Sequence, residues 1–119
     1  MKTVVHGAST NPDRYAFKAM QRLQEHGYNA IPVNPAFDEV MGERCYASID
    51  DVPEPILTIT LYIGAARSKP LIQDILMAKP RRIIFNPGAE NDELSRSASS
   101  AGIETVNGCT LVMLGAGTF

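Results

Sequence analysis

The sequence has 119 residues, 45% of them hydrophobic, which is enough for one domain with a substantial core but too few for a separate substrate domain. Its 11 basic and 13 acidic residues nearly balance, and no basic run could follow a phosphate backbone, so we expect no nucleic-acid partner. No segment approaches the roughly 18 consecutive apolar residues of a membrane span, and no signal-peptide pattern is present, so we expect a cytoplasmic protein without a membrane partner.

The opening third of the chain predicts a strand, a helix and a second strand. Residues 3–6 form a short apolar run that is typical of a buried strand. Residues 14–26 carry apolar side chains at helical spacing, at Ala16, Met20 and Leu23. Residues 29–33 read NAIPV and predict the second strand. A strand, helix and strand in this order imply parallel pairing with a right-handed crossover.

The signals at the ends of this first helix are distinct. Asn11 suits the N-cap, Pro12 suits the first helical position, and Asp13 favours the positive end of the helix dipole. Gly27 is expected to end the helix. We therefore expect the helix to begin near Pro12.

Strands and helices continue to alternate through the rest of the chain. Residues 36–55 are expected to be a connection with a short helical turn at residues 38–41. Strands are predicted at residues 56–62, 82–85 and 104–106, and helices at residues 68–78 and 92–101. This pattern predicts an α/β fold: a single Rossmann-like domain with a doubly wound parallel sheet of about five strands.

The loop after the first strand is the main candidate for a binding site, because ligands of such sheets lie beyond the carboxyl ends of the strands. Gly7 allows close approach of the backbone, and Ser9 and Thr10 offer hydroxyl donors. A helix that begins near Pro12 would direct its free N–H groups at an anion. We expect a phosphate or pyrophosphate here.

Two side chains in the first helical turn are further candidates. Arg14 could add a bidentate phosphate contact, and Tyr15 could cover part of a ligand. A solvated Arg14 and a half-buried Tyr15 are equally good alternatives.

The details of the loop disfavour NAD as the nucleotide. The dinucleotide fingerprint has three glycines, but this chain has Ser9 and Pro12 at two of the three places. The second strand ends in Val33, Asn34 and Pro35, where an NAD site generally has an acidic residue for the ribose hydroxyls. A nucleotide with an extra phosphate on its ribose is therefore better tolerated.

Several segments together resemble a known family. GASTNPDRYAFKA, HGYNAIPVNP, GERCYASIDDVPEP, NPGAEN and GCTLVMLGAGTF are similar to the small stand-alone CoA-binding proteins, and the similarity covers nearly the whole chain. These proteins have a Rossmann-like fold similar to the CoA-binding domain of succinyl-CoA synthetase α subunits and of ADP-forming acyl-CoA synthetases. The HGYxxxPVNP segment is the most specific of these motifs.

The resemblance implies that the ligand is coenzyme A. It implies that residues 7–9 and Arg14 meet the pyrophosphate, that residues 33–35 lie beside the adenosine, and that residues 63–69 line the remaining side of the crevice. Tyr62 stands where phenylalanine is frequent in the family, and the arginine-bearing turn is shifted to Arg67. The expected cofactor-binding residues are Gly7, Ala8, Ser9, Thr10, Pro12, Arg14, Tyr15, Val33, Asn34, Pro35, Tyr62, Ile63 and Arg67.

No catalytic residues and no metal ligands are predicted. No Ser-His-Asp set, paired carboxylates or zinc-ligand spacing can be assembled from the sequence. His6 is expected to be a packed or capping histidine, and residues 90–93 suit the first turn of the helix that follows.

Both cysteines are expected to be free thiols. Cys45 is interpreted as structural. Cys109 could lie near the crevice and form a mixed disulfide with CoA, but a buried small hydrophobic residue at the start of a final helix is the favoured interpretation.

Three hypotheses about function follow. The first is a CoA or acyl-CoA binding protein without an evident catalytic site. The second is an NAD(P)-binding, oxidoreductase-like protein, supported only by the fold and the phosphate loop. The third is the CoA-binding subunit of an acyl-CoA synthetase complex, with a synthetase subunit as its partner. A homodimer is the alternative partnership.

Overall fold

The central feature of the fold is a five-stranded, fully parallel sheet, described over all 119 residues by a computed structural model. In chain order the sheet strands are β1 (Lys2–His6), β2 (Asn29–Val33), β5 (Ile56–Leu61), β6 (Arg82–Phe85) and β7 (Glu104–Asn107), and they lie in the order β2-β1-β5-β6-β7. Two further strands, β3 (Glu39–Val40) and β4 (Glu43–Arg44), form a small antiparallel hairpin. The predicted doubly wound parallel sheet of about five strands is confirmed.

Helices cover both faces of this sheet. They are α1 (Tyr15–Glu25), α2 (Ala65–Ser68), α3 (Ile72–Met77), α4 (Asp92–Ser100) and α5 (Thr110–Ala116), with 3-10 turns at Ile49–Asp51 and Lys69–Leu71. None of these helices is long and apolar enough to cross a bilayer.

Neighbouring residues of β1 point into two separate cores. Val4 belongs to a buried cluster that includes Ile75 of α3 and Leu94 of α4. Val5 belongs to a second cluster that includes Met20 of α1 and Leu114 of α5. Side chains alternate across a strand, so a strand buried on both faces is apolar at successive positions. This explains why β1 appears in the sequence as a continuous apolar run.

The strand order changes direction at β1. From β1 the chain moves outward to β2, then returns to the other side of β1 as β5. Open parallel sheets form a crevice beyond the carboxyl ends of the two strands at such a switch point. The loops after β1 and β5 are therefore the expected walls of a binding cleft.

The first helix starts one turn later than expected. Asn11 does not cap α1: its side-chain oxygen accepts a 3.0 Å hydrogen bond from the N–H of Asp13, and its carbonyl accepts one from the N–H of Arg14. These bonds form a separate turn over residues 11–14. Arg14 then has extended backbone angles, so helical geometry begins only at Tyr15.

The expected helical turn at residues 38–41 is wrong, because this segment enters the β3–β4 hairpin. Met41 and Gly42 form its two-residue turn, both with positive φ, 51° and 80°. Positive φ at both positions is the geometry that matches the twist of a two-residue hairpin. Methionine rarely adopts a positive φ, so the sequence did not predict a hairpin turn here.

The expected helix over residues 68–78 is also interrupted. A short helix, α2, ends at Ser68, the tighter turn Lys69–Leu71 follows, and α3 begins at Ile72. Pro70 lies in that turn, and its ring removes one backbone N–H from the helical pattern.

Part of the connection after β2 lies along the outer side of that strand and runs parallel to it. Tyr46 forms a single parallel bridge with Val33. The N–H of Tyr46 donates to the carbonyl of Pro32 at 3.0 Å, and the N–H of Asn34 donates to the carbonyl of Tyr46 at 2.9 Å. The carboxyl end of β2 is therefore held between β1 and this connection.

Candidate functional site

The loops after β1 and β5 approach each other closely at Gly7. A Cβ atom on Gly7 would lie 2.8 Å from Cγ2 of Ile63 and 3.3 Å from the carbonyl carbon of Tyr62. The φ of Gly7 is +95°, which side chains other than glycine rarely adopt. Gly7 is therefore required both for the turn and for the space between the two loops.

The backbone N–H groups of Gly7 and Ala8 are already engaged. Both donate to the carbonyl of Val33, at 2.9 Å and 3.2 Å. Neither Gly7 nor Ala8 therefore has a free backbone N–H to offer a ligand. The free donors of the loop must come from further along the chain.

Those donors are found at the start of α1. Arg14 occupies its N-cap position without a side-chain capping bond. The hydrogen bond from the N–H of Lys18 to the carbonyl of Arg14, 3.2 Å, closes the first turn. The N–H groups of the three residues before Lys18 point out of the helix without a capping side chain, and the dipole adds partial positive charge there. The helix spans 11 residues, so this open end is a suitable place for an anion.

Ser9 closes the turn in front of the helix. Its hydroxyl oxygen accepts a 3.0 Å hydrogen bond from the N–H of Asn11, so the hydroxyl proton remains free to donate. The side chain thus shapes the loop and still offers a donor to a ligand.

Asn34 holds the end of β2 to the same loop. Its amide nitrogen donates to the carbonyl of Ala8 at 2.7 Å, and its amide oxygen accepts from the N–H of Ala36 at 2.8 Å. Asn34 therefore braces the wall of the cleft.

The cleft has two connected lobes. The larger, which we name the helix lobe, has a volume of about 440 Å³ and lies over the start of α1. Its distinguishing lining residues are Ser9, Arg14, Tyr15, Phe37, Tyr62 and Pro87. The smaller, which we name the histidine lobe, has a volume of about 170 Å³. Its distinguishing lining residues are His6, Val33, Pro35, Ser48, Ile49 and Leu71. Both lobes share Gly7, Asn34, Ile63 and Arg67.

Most of the residues expected to bind a cofactor lie along this cleft. Thr10 and Pro12 are exposed and line neither lobe; Pro12 lies in the turn over residues 11–14, and Thr10 directly precedes it. The other expected residues line one lobe or both: Gly7, Ala8, Ser9, Arg14, Tyr15, Val33, Asn34, Pro35, Tyr62, Ile63 and Arg67. Their role in ligand binding stays a prediction.

The sequence did not assign part of the histidine lobe. Ser48 and Ile49 come from the connection after β2, and Leu71 comes from the turn before α3. The GERCYASIDDVPEP segment contains Ser48 and Ile49. It supported the family resemblance, but no binding role was predicted for its residues. Phe37 and Pro87, in the helix lobe, follow β2 and β6 at the edge where a ligand was expected.

His6 is the unusual polar group of the cleft. It is 6% exposed, and its Nδ1 has no hydrogen-bond partner. Burial, and to a lesser extent the nearby Arg67 guanidinium, lower the pKa of His6 to about 4. The imidazole is therefore neutral at pH 7. His6 was expected to be packed or capping, and the structure shows a packed histidine without a cap interaction.

Tyr62 contributes its ring to the helix lobe, while its hydroxyl lies inside the protein. Burial raises the pKa of Tyr62 to about 12, although the hydroxyls of Thr110 and Thr60 lie close by. Its hydroxyl oxygen is buried and no neighbour meets it with good hydrogen-bond geometry. Tyr62 is therefore an uncharged wall residue.

A buried polar cluster fixes α5 below Tyr62. The hydroxyls of Thr60 and Thr110 are 2.7 Å apart, and the amide of Asn86 donates to Thr60 Oγ1 at 2.8 Å. Asn86 also accepts from the backbone N–H of Thr110 at 2.9 Å. Strands β5 and β6 are thus connected to the start of α5.

Neither cysteine is placed for chemistry by a charged partner. Cys45 is buried, its Sγ lies 3.4 Å from the carbonyl oxygen of Asn34, and burial raises the pKa of its thiol. The neighbouring guanidinium of Arg44 lies over the Tyr46 ring, 4.7 Å from its centroid. Cys109 precedes α5 and is half-buried, so the expectation of a fully buried residue there is wrong.

The acidic residues after β6 belong to the start of α4. Asp92 and Glu93 lie in its first turn, as expected, and the side chain of Asn91 caps it by accepting from the N–H of Leu94 at 3.0 Å. Glu90 accepts a 2.9 Å hydrogen bond from the N–H of Gly88. No three histidine, cysteine or acidic side chains come together as a metal-binding group.

Known proteins share both the sequence pattern and the fold. The sequence profile of the CoA-binding domain family matches residues 1–115. An uncharacterized protein of known crystal structure is 47% identical, with a TM-score of 0.94 over 99% of this chain and 97% of that one. A dinucleotide-forming acetyl-coenzyme A synthetase 1 of Ca. Korarchaeum cryptofilum is 26% identical, with a TM-score of 0.76 over 90% of this chain and 25% of its own. An ADP-forming acetate–CoA ligase of Methanocaldococcus jannaschii is 34% identical over 50 residues, 42% of this chain and 7% of that protein.

Proposed function

This chain belongs to the CoA-binding domain family, and from that premise we propose that it binds coenzyme A or an acyl-CoA in the cleft between the loops after β1 and β5. The observation that carries the proposal is the open N-terminus of α1, with Arg14 at its N-cap, at the wall of the helix lobe. A volume of about 440 Å³ lies within the range of small-molecule sites.

The pyrophosphate of CoA suits the helix lobe. Unpaired N–H groups at the start of α1 provide donors, and the helix dipole favours negative charge. Arg14 and Arg67 both line the lobe, so two guanidinium groups stand on opposite loops of the cleft. Arginine binds phosphate oxygens in a bidentate manner, which strengthens the contact and fixes its orientation.

The end of β2 suits CoA better than NAD. The residues there are Val33, Asn34 and Pro35, none of them acidic, and the Asn34 side chain is already bonded to Ala8 and Ala36. No carboxylate is available for the ribose diol of NAD, and none repels the phosphate on the ribose of CoA.

A second candidate function is the CoA-binding subunit of an acyl-CoA synthetase. It is supported by the similarity to the two synthetases named above, in which the matched part is only 7% and 25% of the length. Co-purification of the chain with a synthetase subunit from its native source would support this candidate, and a chain that purifies alone would count against it.

Titration calorimetry tests the proposed function directly. We expect saturable binding of CoA and weaker binding of dephospho-CoA, which lacks the ribose phosphate. Arg14→Gln should weaken CoA binding by about tenfold, because a charge-assisted hydrogen bond to the pyrophosphate is lost. Arg96→Gln is the matched control, since this exposed arginine lies on α4, away from the cleft.

Two results would contradict the proposal. One is the absence of heat with CoA at high protein concentration. The other is binding of NADH that CoA does not displace, which would favour a nicotinamide-binding, oxidoreductase-like protein instead.

A further inference from the structure

The segment that presents Arg67 to the cleft has little hydrophobic anchoring of its own. Residues 65–70, which we name the Arg67 turn, comprise α2 and the first two residues of the 3-10 turn after it. Within this turn only Ser68 is buried, whereas Arg67 is exposed and lines both lobes. The nearest fully buried apolar residues in the chain are Ile63 and Ile72, on either side of the segment. No apolar side chain of the Arg67 turn therefore enters the core.

The one buried side chain of the Arg67 turn is polar. Ser68 is 0% exposed, and a buried hydroxyl is costly unless it is hydrogen-bonded. Its oxygen accepts a 2.7 Å hydrogen bond from the amide nitrogen of Asn91, which is itself buried. The hydroxyl also lies 3.4 Å from the carbonyl oxygen of Ala65, a longer and weaker contact within the same turn. The bond from Asn91 therefore connects the Arg67 turn to the start of α4.

Asn91 is fixed by its other amide atom. Its oxygen accepts from the N–H of Leu94 at 3.0 Å, and Leu94 and Ala98 of α4 are buried in the core. A helix cap needs only an accepting side-chain oxygen, which serine, threonine or aspartate also supplies. Asparagine adds a separate NH₂ group that donates in another direction. The contact with Ser68 is therefore a second role of this side chain, beyond capping α4.

The backbone carries a shift at Ser68 to Arg67. The N–H groups of both residues donate to the carbonyl of Gly64, each at 3.0 Å. The two residues therefore belong to one closed turn and move together. Arginine contacts with phosphate depend on the direction of the guanidinium, because two parallel hydrogen bonds form. A displaced turn would thus weaken binding at an unchanged Arg67.

Resting on the proposed function, we propose that Asn91 is a positioning residue: by holding the Ser68 hydroxyl, it sets the Arg67 turn where the guanidinium meets the phosphates of CoA. Asn91 itself lines neither lobe. It acts on the ligand only through Arg67.

A double-mutant cycle of binding measurements tests this role. Asn91→Ser keeps an oxygen for the α4 cap, but it removes the amide nitrogen that reaches Ser68. In titration calorimetry, Asn91→Ser should weaken CoA binding about threefold and Arg67→Gln about tenfold. With Arg67→Gln already present, Asn91→Ser should cause almost no further loss, because the guanidinium that it positions is gone. A purely structural role of Asn91 would weaken binding by the same factor in both backgrounds.

Ala98→Gly is the matched control for destabilisation of α4. Ala98 is buried in the same helix, and glycine there weakens the helix without a change in charge and without removing the contact with Ser68. It should lower the unfolding temperature and leave CoA affinity unchanged. Ser68→Ala is a second test variant, because it removes the other partner of the contact and keeps the α4 cap. It should reproduce the binding loss of Asn91→Ser.

Amide hydrogen exchange of the free protein measures the turn without any ligand. In Asn91→Ser the N–H groups of Arg67 and Ser68 should exchange about tenfold faster, as expected for a turn that has lost one hydrogen bond. In Ala98→Gly the exchange should rise in α4 and not in the Arg67 turn. Unchanged exchange at Arg67 and Ser68 in a folded Asn91→Ser protein would overturn the inference.

The outcomes separate the two proposals. If the wild type does not bind CoA, the proposed function fails, whatever the exchange rates are. If the wild type binds CoA and Asn91→Ser weakens binding equally with and without Arg67, or not at all, only the positioning role is refuted. If Asn91→Ser does not fold, Ser68→Ala decides in the same cycle.

Discussion

The amide nitrogen of Asn34 donates a 2.7 Å hydrogen bond to the backbone carbonyl of Ala8, which connects the end of β2 to the loop between β1 and α1. The amide oxygen of Asn34 accepts a hydrogen bond from the N–H of Ala36. Both the nitrogen and the oxygen of this amide, on a residue expected to lie beside the adenosine, therefore have partners within the protein. We propose that Asn34 acts by holding the cleft in shape.

Replacement of Asn34 by alanine should loosen this loop. The carbonyl of Ala8 and the N–H of Ala36 would lose their partners, and we expect the free energy of unfolding to fall by about 1–2 kcal/mol. Urea denaturation measures the loss, and calorimetry should show weaker CoA binding in the same variant. Asn107→Ala is the control, because Asn107 also ends a strand but is exposed. Equal stabilities of the two variants would refute the bracing role.

Gly7→Ala should destabilise the protein more than a positive φ alone explains. Gly7 and Gly88 have similar φ values, +95° and +90°, but a Cβ on Gly88 would meet nothing within 4 Å. The loss of stability in Gly88→Ala therefore measures the cost of a positive φ alone, roughly 1–2 kcal/mol. Gly7→Ala adds the collision with Ile63 and the backbone of Tyr62. Thermal unfolding of both variants measures the difference, and an equal loss would mean that the two loops separate easily.

Stability should decrease as the pH falls, in part because of His6. In the unfolded chain this histidine takes up a proton near its ordinary pKa of 6.5, whereas in the folded protein burial and Arg67 lower that pKa to about 4. The contribution is fully present above pH 6.5 and is lost as the pH falls toward 4, with a loss of order 3 kcal/mol across this window.

Urea denaturation at several pH values measures this effect. Carboxylates also titrate at the acidic end, so the informative quantity is the difference between the wild type and His6→Gln. The variant should show a shallower decrease between about pH 6.5 and pH 4. Parallel curves for the two proteins would show that His6 is protonated without penalty in the folded state.

Thr60 and Thr110 should show coupled effects on stability. Their hydroxyls are 2.7 Å apart in the buried cluster with Asn86. Thr110→Val alone removes the contact between the two hydroxyls, although Thr60 Oγ1 still accepts from Asn86, and should cost about 1 kcal/mol. Thr60→Val and Thr110→Val together should cost less than the sum of the single substitutions. A double-mutant cycle by chemical denaturation measures the coupling, and strictly additive losses would contradict the proposed contact.

The architecture could be predicted from the sequence because it depends on the pattern of apolar residues along the chain. β2 and β6 have the bounds expected from their apolar residues, and the alternation of strands and helices predicts the parallel sheet. The errors occur where local hydrogen bonds compete with regular structure. Asn11 has the composition of a helix cap but closes a turn with Asp13, and Met41 adopts a positive φ that the sequence does not signal.

The cleft was predictable only in part. In a parallel sheet the loops that follow the strands lie at the same edge. The sequence therefore predicted Gly7, Arg14 and Ile63 at that edge. Ser48 and Leu71 reach the histidine lobe through the connection along β2 and the irregular turn before α3, which no periodicity describes. The unpaired nitrogen of His6 depends on three-dimensional packing and has no signal in the sequence.

The connection that pairs Tyr46 with Val33 also limits how these molecules can associate. An uncovered edge strand invites pairing with another chain, but at the cleft end of β2 the backbone groups are already bonded to Tyr46. Pro32, within the same strand, has no N–H to donate. The other edge of the sheet is β7. We therefore expect strand addition at this end of β2 to be disfavoured, which keeps the cleft beside it clear of pairing with a second chain.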